Sequence, residues 1–300
     1  MILCFDIGGS RIKAALAEGG RLTALGDVPT PGADFTAFAA ALAGFAAGRR
    51  LAGVAISIAG VVDPATGAIK VANIPCADGR RLADDLTAAL GLPVLVLNDA
   101  DCFALAEARQ GAGRGHGTVF GVILGTGVGG GVVIDGRLLR GAGGFAGEWG
   151  HGPVAKTEVA GRHLPEFPCG CGLSGCVDAV GGARGIERLH LALHGVAAGS
   201  EAILSDWQAA EGRAVETVQV WLGLVAPPLA MVLNVLGASI VPVGGGLANV
   251  PALIAALDAA VRAMVLRATD RPLVVPAQCP LEPGLIGAAE AGEAAFVRGA

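Results

Sequence analysis

The sequence predicts an α/β protein of two lobes, and three observations carry that reading. Apolar strand-like runs alternate with helical spacing along the whole chain. A strand, a glycine turn and a second strand occur twice, in "ILCFDIGGSRIKAALAE" and again in "TVFGVILGTGVGGGVVIDGRLL". A chain of 300 residues holds one large domain or two of ordinary size. Two tight hairpins also exclude a purely parallel sheet.

The first lobe is expected over residues 1–115, opening with the first hairpin. A third strand fits "VAISIAG" or "VVDPATGAIKV", and "DFTAFAAALAGFAAG" and "RLADDLTAALG" have helical spacing. "LPVLVLNDADCFALAEARQG" predicts a strand ending at Asn98 and Asp99, followed by a helix. The glycine-rich residues 111–117 suit a linker. The second lobe is expected over 116–283. Its hairpin is followed by helices at "ARGIERLHLAL", "AILSDWQAA" and "AVETVQVWLGLVAPPLAMVLNVLG", a strand at "SIVPVGGGLAN", a helix at "VPALIAALDAAVRAMVLRA" and a strand at "PLVVPAQ". A closing helix from about Pro283 is expected to complete the first lobe over 284–300.

Composition narrows the function classes. The chain is 53% hydrophobic and 16% charged, with a mean hydropathy of +0.63. No charged residue occurs from Thr217 to Leu257, yet Pro227, Pro228, Pro242 and Pro251 are expected to break that stretch into pieces too short to span a bilayer. The first residues lack the basic start and cleavage site of a secretory signal, so a cytoplasmic protein without a membrane is expected. A net charge of −5 and no cluster of Lys and Arg argue against a nucleic-acid partner.

Two glycine turns carry the first chemistry. "GTGVGG" satisfies G-x-G-x-x-G, but a strand rather than a helix follows it, against a dinucleotide site. No Walker P-loop sequence occurs. Without side chains, the backbone amides of "DIGGS" and "GTGVGG" can approach an anion closely, or the glycines simply make tight turns. Asp6 beside the first turn and Thr126 in the second suit phosphates with Mg²⁺.

Asp99 is expected at the carboxyl end of a buried strand, where open α/β sheets bind ligands. It suits both a helix N-cap and a base taking a proton from a hydroxyl that attacks a phosphate. Cys169, Cys171 and Cys176, with His151 upstream, offer a closed tetrahedral zinc shell; His163 is the alternative fourth ligand. C-x-C is too short for an unstrained disulfide, and the redox spacing C-x-x-C is absent.

Together, "FDIGGSRIKAAL", "SIAGVVDP", "NDADCFALAEA", "LGTGVGGG", "GEWGH", "CGCGLSGCVDAVGG" and "VPVGGGLAN" resemble the ROK family of repressors and sugar kinases, within the actin-like ATPase superfamily. The resemblance implies two RNase H-like lobes closing as a cleft on ATP, Mg²⁺ and a hexose. It implies Asp99 as the base, with Gly60, Asn73, Asn98, Glu148, His151 and Asp178 on the sugar. Phosphate contacts fall on Asp6, Gly8, Gly9, Ser10 and Arg11 and on Gly125, Thr126, Gly127 and Gly129. Gly245 and Gly246 fall on the adenosine side. A structural Zn²⁺ falls on His151, Cys169, Cys171 and Cys176, within a loop over 151–178. A homodimer is also implied.

Within the family the chain is most similar to kinases of N-acetyl-D-glucosamine, ahead of those for glucose, fructose or N-acetylmannosamine, with the 6-hydroxyl as acceptor. Ser10 and Arg11 stand where the family has Thr and Lys, and Asp178 where Glu is usual. A sugar-responsive repressor is the rival class, but no helix-turn-helix is expected ahead of Asp6. A catalytically silent sugar-binding module is disfavoured by the intact Asp99 and both turns.

Overall fold

The computed structural model describes residues 1–71, 73–279 and 282–298. Its strands are β1 (Ile2–Ile7), β2 (Arg11–Glu18), β3 (Arg21–Pro29), β4 (Gly53–Ile58), β5 (Val61–Val62), β6 (Ile69–Lys70), β7 (Val94–Asn98), β8 (Thr118–Leu124), β9 (Val128–Ile134), β10 (Arg137–Leu139), β11 (Glu158–Val159), β12 (Arg162–His163), β13 (Val241–Gly244) and β14 (Val274–Pro276). Its α-helices are α1 (Phe35–Ala46), α2 (Leu82–Leu90), α3 (Asp99–Gln110), α4 (Asp178–Gly181), α5 (Ala183–His194), α6 (Ser200–Gln208), α7 (Gly212–Leu236), α8 (Pro251–Arg262) and α9 (Pro283–Glu293).

Two compact units are present. One comprises residues 1–111, 131–146 and 279–300, the other 112–130 and 147–278. The sequence alone assigns 131–146 to the second lobe, and the structure corrects this. The guanidinium of Arg109 on α3 donates to the carbonyl of Gly136 at 2.7 Å, a contact that periodicity cannot reveal. Of the expected closing helix over 284–300, residues 299 and 300 lie outside the described residues.

The first unit is built on a sheet ordered β3-β2-β1-β4-β7. β1 pairs antiparallel with β2 and parallel with β4, and β4 pairs parallel with β7. Because side chains alternate along a strand, β1 serves two cores at once. Leu3, Phe5 and Ile7 pack with Phe38 and Leu42 of α1 and Leu82 and Leu86 of α2. Ile2 and Cys4 face the other way, with Cys102 of α3 and Leu285 and Ala288 of α9. A sheet buried on both faces explains the near-continuous apolar run of β1 and β4.

The strand β3 is absent from the sequence-based expectation. Its sequence, RLTALGDVP, has only exposed and half-buried positions, without strict alternation, and carries little apolar signal. A bulge in its pairing with β2 falls between Ala14 and Ala15, opposite Gly26, whose φ is +100°.

The second sheet repeats the order as β10-β9-β8-β13-β14. In the second unit, α7 packs against α5, α6 and α8, and buries Trp221, whose indole nitrogen donates to the Gly181 carbonyl at 3.0 Å. The expected break at the prolines is corrected here: Pro227 and Pro228 lie inside one continuous helix. A proline removes one i→i−4 bond and crowds a carbonyl, but packing of the buried Val225, Ala226, Leu229 and Ala230 outweighs that penalty. By length and composition α7 could cross a membrane, yet half of its apolar window is buried within the fold.

Candidate functional site

In the first unit the site is assembled around the end of β1. Asp6 sits in register with Ser57 of the parallel neighbour β4, and the Ser57 hydroxyl donates to Asp6 Oδ1 at 2.8 Å. Burial raises the Asp6 carboxyl above its ordinary value, opposed by the Ser57 hydroxyl and by the charge of Lys13. At the start of α9, a Cβ on Gly284 would collide with this carboxylate.

The turn at residues 8–11 is exposed and anchored from behind. Gly8 N–H donates to the Arg11 carbonyl at 3.0 Å, and the Thr30 hydroxyl donates to the Gly8 carbonyl at 2.8 Å. Thr30 N–H donates to the Ser10 carbonyl at 3.0 Å. Gly9 lies against Asn73, so close that an added Cβ would stand 2.9 Å from Asn73 Cβ. The Arg11 side chain pairs with Asp27 of β3.

The predicted strand-to-helix step is present one residue early: β7 ends at Asn98, and Asp99 is the first residue of α3 rather than its N-cap. The N-cap is Asn98, whose Oδ1 accepts from the amides of Ala100 at 2.8 Å and Asp101 at 3.3 Å. Asn98 Nδ2 donates to the Gly60 carbonyl at 3.0 Å, so this side chain ties the helix start to the end of β4. Asp99 Oδ1 accepts from Ala100 N–H at 2.9 Å, which fixes its carboxylate at the helix start. Asp6, residues 8–11, Gly60, Asn73, Asn98 and Asp99 thus all belong to one unit.

The second turn, residues 125–129, is held from behind by its own unit, with Thr126 exposed. Ala183 N–H, at the start of α5, donates to the Gly125 carbonyl at 2.8 Å. A Cβ on Gly182 would stand 2.6 Å from the Thr126 carbonyl and 2.7 Å from Gly127 Cα. Gly245, with φ +87°, approaches Gly125 N as closely, so only glycine fits there. Gly246, itself exposed, opens the turn Gly246–Asn249, which is anchored by the buried Leu247. The indole of Trp149 donates to the Gly129 carbonyl at 3.0 Å, and Asp178 Oδ1 accepts from Val128 N–H at 2.8 Å.

The cysteine loop is adjacent. His151, Cys169, Cys171 and Cys176 place one ligand atom each within 4.8 Å of one another. Cys169 Sγ stands 3.6 Å from His151 Nδ1, and Cys171 Sγ 3.6 Å from Cys176 Sγ. A tetrahedron of Zn–S bonds near 2.3 Å has edges of about 3.8 Å, so the spacing and the donor set fit a closed zinc site. His163, the alternative ligand, lies on β12 and is not one of the four residues that cluster.

The loop has its own electrostatic asymmetry. The Leu173 backbone amide leads in holding Cys171 down to about 7, while burial leads in pushing Cys169 up to about 12. His151 Nε2 faces Glu148 Oε2 at 3.7 Å, and burial raises the Glu148 carboxyl. Asp178 Oδ2 accepts from Cys169 Sγ at 3.4 Å.

Comparison with known proteins decides the family. The ROK family model matches residues 2–293. The chain belongs to the ROK family. It is 36% identical, over 296 residues, to N-acetylgalactosamine kinase AgaK of Shewanella sp. (strain ANA-3), covering 96% of this chain and 95% of that one. It is 35% identical to the N-acetyl-D-glucosamine kinase of Photobacterium profundum, covering 95% and 97%. Among solved structures, the ROK hexokinase of Thermus thermophilus matches with a TM-score of 0.83 at 33% identity, covering 96% of each chain. A ROK family glucokinase from Streptomyces griseus, in complex with glucose and AMPPNP, matches with a TM-score of 0.73 at 29% identity, covering 97% and 98%. The fold is that of the two-lobed, actin-like ROK sugar kinases, and the chain is a sugar kinase.

Sequence reasoning missed several supports of this ROK site. Ser57 behind Asp6 and Thr30 behind the first turn leave no local signal. Trp149 falls inside the motif "GEWGH" without a role that its neighbours announce. Gly182, the second of two glycines before a helical pattern, is the one signal that could have shown a helix starting against the second turn.

Proposed function

We propose that this ROK kinase phosphorylates the 6-hydroxyl of N-acetyl-D-glucosamine with ATP, using Asp99 as general base. The observation that carries the reading is Asp99 at the junction of β7 and α3, with one carboxylate oxygen fixed by Ala100 N–H. Its carboxylate takes the proton of the attacking hydroxyl. A bond forms from that oxygen to the γ-phosphorus, the bond from the γ-phosphorus to the β,γ-bridging oxygen breaks, and ADP leaves. The proposed sugar-binding residues are Gly60, Asn73, Asn98, Glu148, His151 and Asp178.

The turns at 8–11 and 125–129 bind the phosphates, with the loop at Gly245 and Gly246 on the adenosine side. Mg²⁺ supplies charge neutralisation when bound. The Asp6 carboxylate, raised chiefly by burial, is the proposed cation partner, and the Thr126 hydroxyl is proposed as a phosphate contact of the second turn. Zn²⁺ on His151, Cys169, Cys171 and Cys176 has no open position and is structural. With Nδ1 facing the metal loop, His151 Nε2 remains for the sugar. The enzyme is proposed to be cytoplasmic and a homodimer, with no nucleic-acid or membrane partner.

The relatives named for N-acetylglucosamine and N-acetylgalactosamine support an N-acetylhexosamine. A coupled assay across N-acetylglucosamine, N-acetylgalactosamine, N-acetylmannosamine, glucose, fructose and mannose tests it; glucose outperforming N-acetylglucosamine would sink the specificity. Asp99→Asn should lower kcat by about 10² to 10⁴ while sugar still binds, and retained turnover would remove Asp99 from its role.

A further inference from the structure

Asp178 is where the metal loop and the second glycine turn meet. It lies two residues beyond Cys176, and its own N–H donates to the Gly150 carbonyl at 2.8 Å, which fixes it beside His151. Its side chain bridges the two: Oδ1 accepts Val128 N–H at 2.8 Å, while Oδ2 stays 3.4 Å from Cys169 Sγ of the loop. Val128 is 7% exposed, so water is a poor substitute for that acceptor. Gly127, immediately before Val128, is a glycine that its φ does not require, but a Cβ there would run into Asp178 Oδ1. The turn is therefore shaped to admit this carboxylate.

We propose that Asp178 is a positioning residue for the nucleotide, holding the 125–129 turn in its phosphate-binding shape through Val128 N–H, with the metal loop as its foundation. The inference rests on the reading of that turn as a phosphate site. Whatever contact its second oxygen makes with sugar, the first oxygen serves the turn. A short acid suits this task, because its carboxylate stays close to the loop backbone and reaches the start of β9. The consequence is that ATP affinity, and not only sugar affinity, depends on the cysteine loop.

The experiment measures AMPPNP·Mg²⁺ binding by calorimetry on the zinc-loaded full chain, together with KM for ATP and kcat. Asp178→Ala should weaken AMPPNP by about tenfold or more and raise KM for ATP by a similar factor, with a smaller change in kcat. Asp178→Asn keeps an oxygen for Val128 N–H and should recover most of the affinity. Gly127→Ala displaces the carboxylate while leaving the four metal-ligand residues unchanged, and should weaken AMPPNP on its own. Combined with Asp178→Ala it should add little, because the obstacle is gone.

Zinc content by mass spectrometry is followed in parallel and should stay at the wild-type level in Gly127→Ala. Wild-type AMPPNP affinity in Asp178→Ala, or a full additive loss in the double variant, overturns the inference. If the wild type itself fails to bind AMPPNP, the phosphate reading of the turn falls first and takes this inference with it.

Discussion

His151 presents Nδ1 to Cys169 Sγ at 3.6 Å while its Nε2 faces Glu148 at 3.7 Å. One ring thus has a metal-facing edge and a carboxylate-facing edge. Native mass spectrometry should find one zinc per chain, and none after Cys176→Ser, which alters a ligand that is fully buried. Chelation should raise KM for the sugar and loosen the loop over 151–178 to proteolysis. A metal-free enzyme with unchanged sugar affinity would break the link between metal and substrate.

Asn98 uses both ends of its amide, capping α3 and donating to the Gly60 carbonyl. Asn98→Ala should cost about 1 to 3 kcal/mol, the sum of a lost cap and a lost hydrogen bond. Asn98→Asp keeps the cap and loses the donor, so its urea midpoint should fall between wild type and Asn98→Ala. Three equal midpoints would show that neither bond contributes.

Asp6 makes a pH-dependent contribution whose sign follows from its raised carboxyl. The folded state holds this proton more tightly than the unfolded state. Stability therefore falls as pH rises from the ordinary value of 3.8 through the raised folded value, and the penalty persists above that window. Asp6→Asn, which can still accept from Ser57, should be at least as stable as wild type at neutral pH. Its advantage should disappear in acid below the ordinary carboxylate range, and turnover should drop sharply at every pH. A neutral-pH loss of stability would contradict this account.

Gly287 on α9 touches the backbone of Cys102 on α3, and an added Cβ would overlap the Cys102 carbonyl. Gly287→Ala should force the two helices apart and cost about 1 to 3 kcal/mol or more, read as a lowered thermal midpoint. An unchanged midpoint would mean that α3 and α9 yield easily.

Much of this was legible in the sequence because the signals are local. Strand–glycine–strand repeats, the N-D step before a helical run, and three cysteines with an upstream histidine each announce themselves within a few residues. What stayed hidden depends on residues far apart in the chain. β3 carries a half-polar pattern that alternation does not flag. Pro227 and Pro228 look like breakers until the burial of α7 is known. The assignment of residues 131–146 to the first unit rests on contacts such as Arg109 to Gly136. The grip of Trp149 and Asp178 on the second turn spans 20 and 50 residues of sequence.

The chain passes between its two units after residues 111, 130, 146 and 278, so neither unit is a continuous stretch of polypeptide. A single cut, for example after residue 115, would strip α9 from β1 and β4 and leave Ile2, Cys4 and Ala55 without their cover. Neither unit should therefore fold with its full core when expressed as a single uninterrupted stretch of the chain.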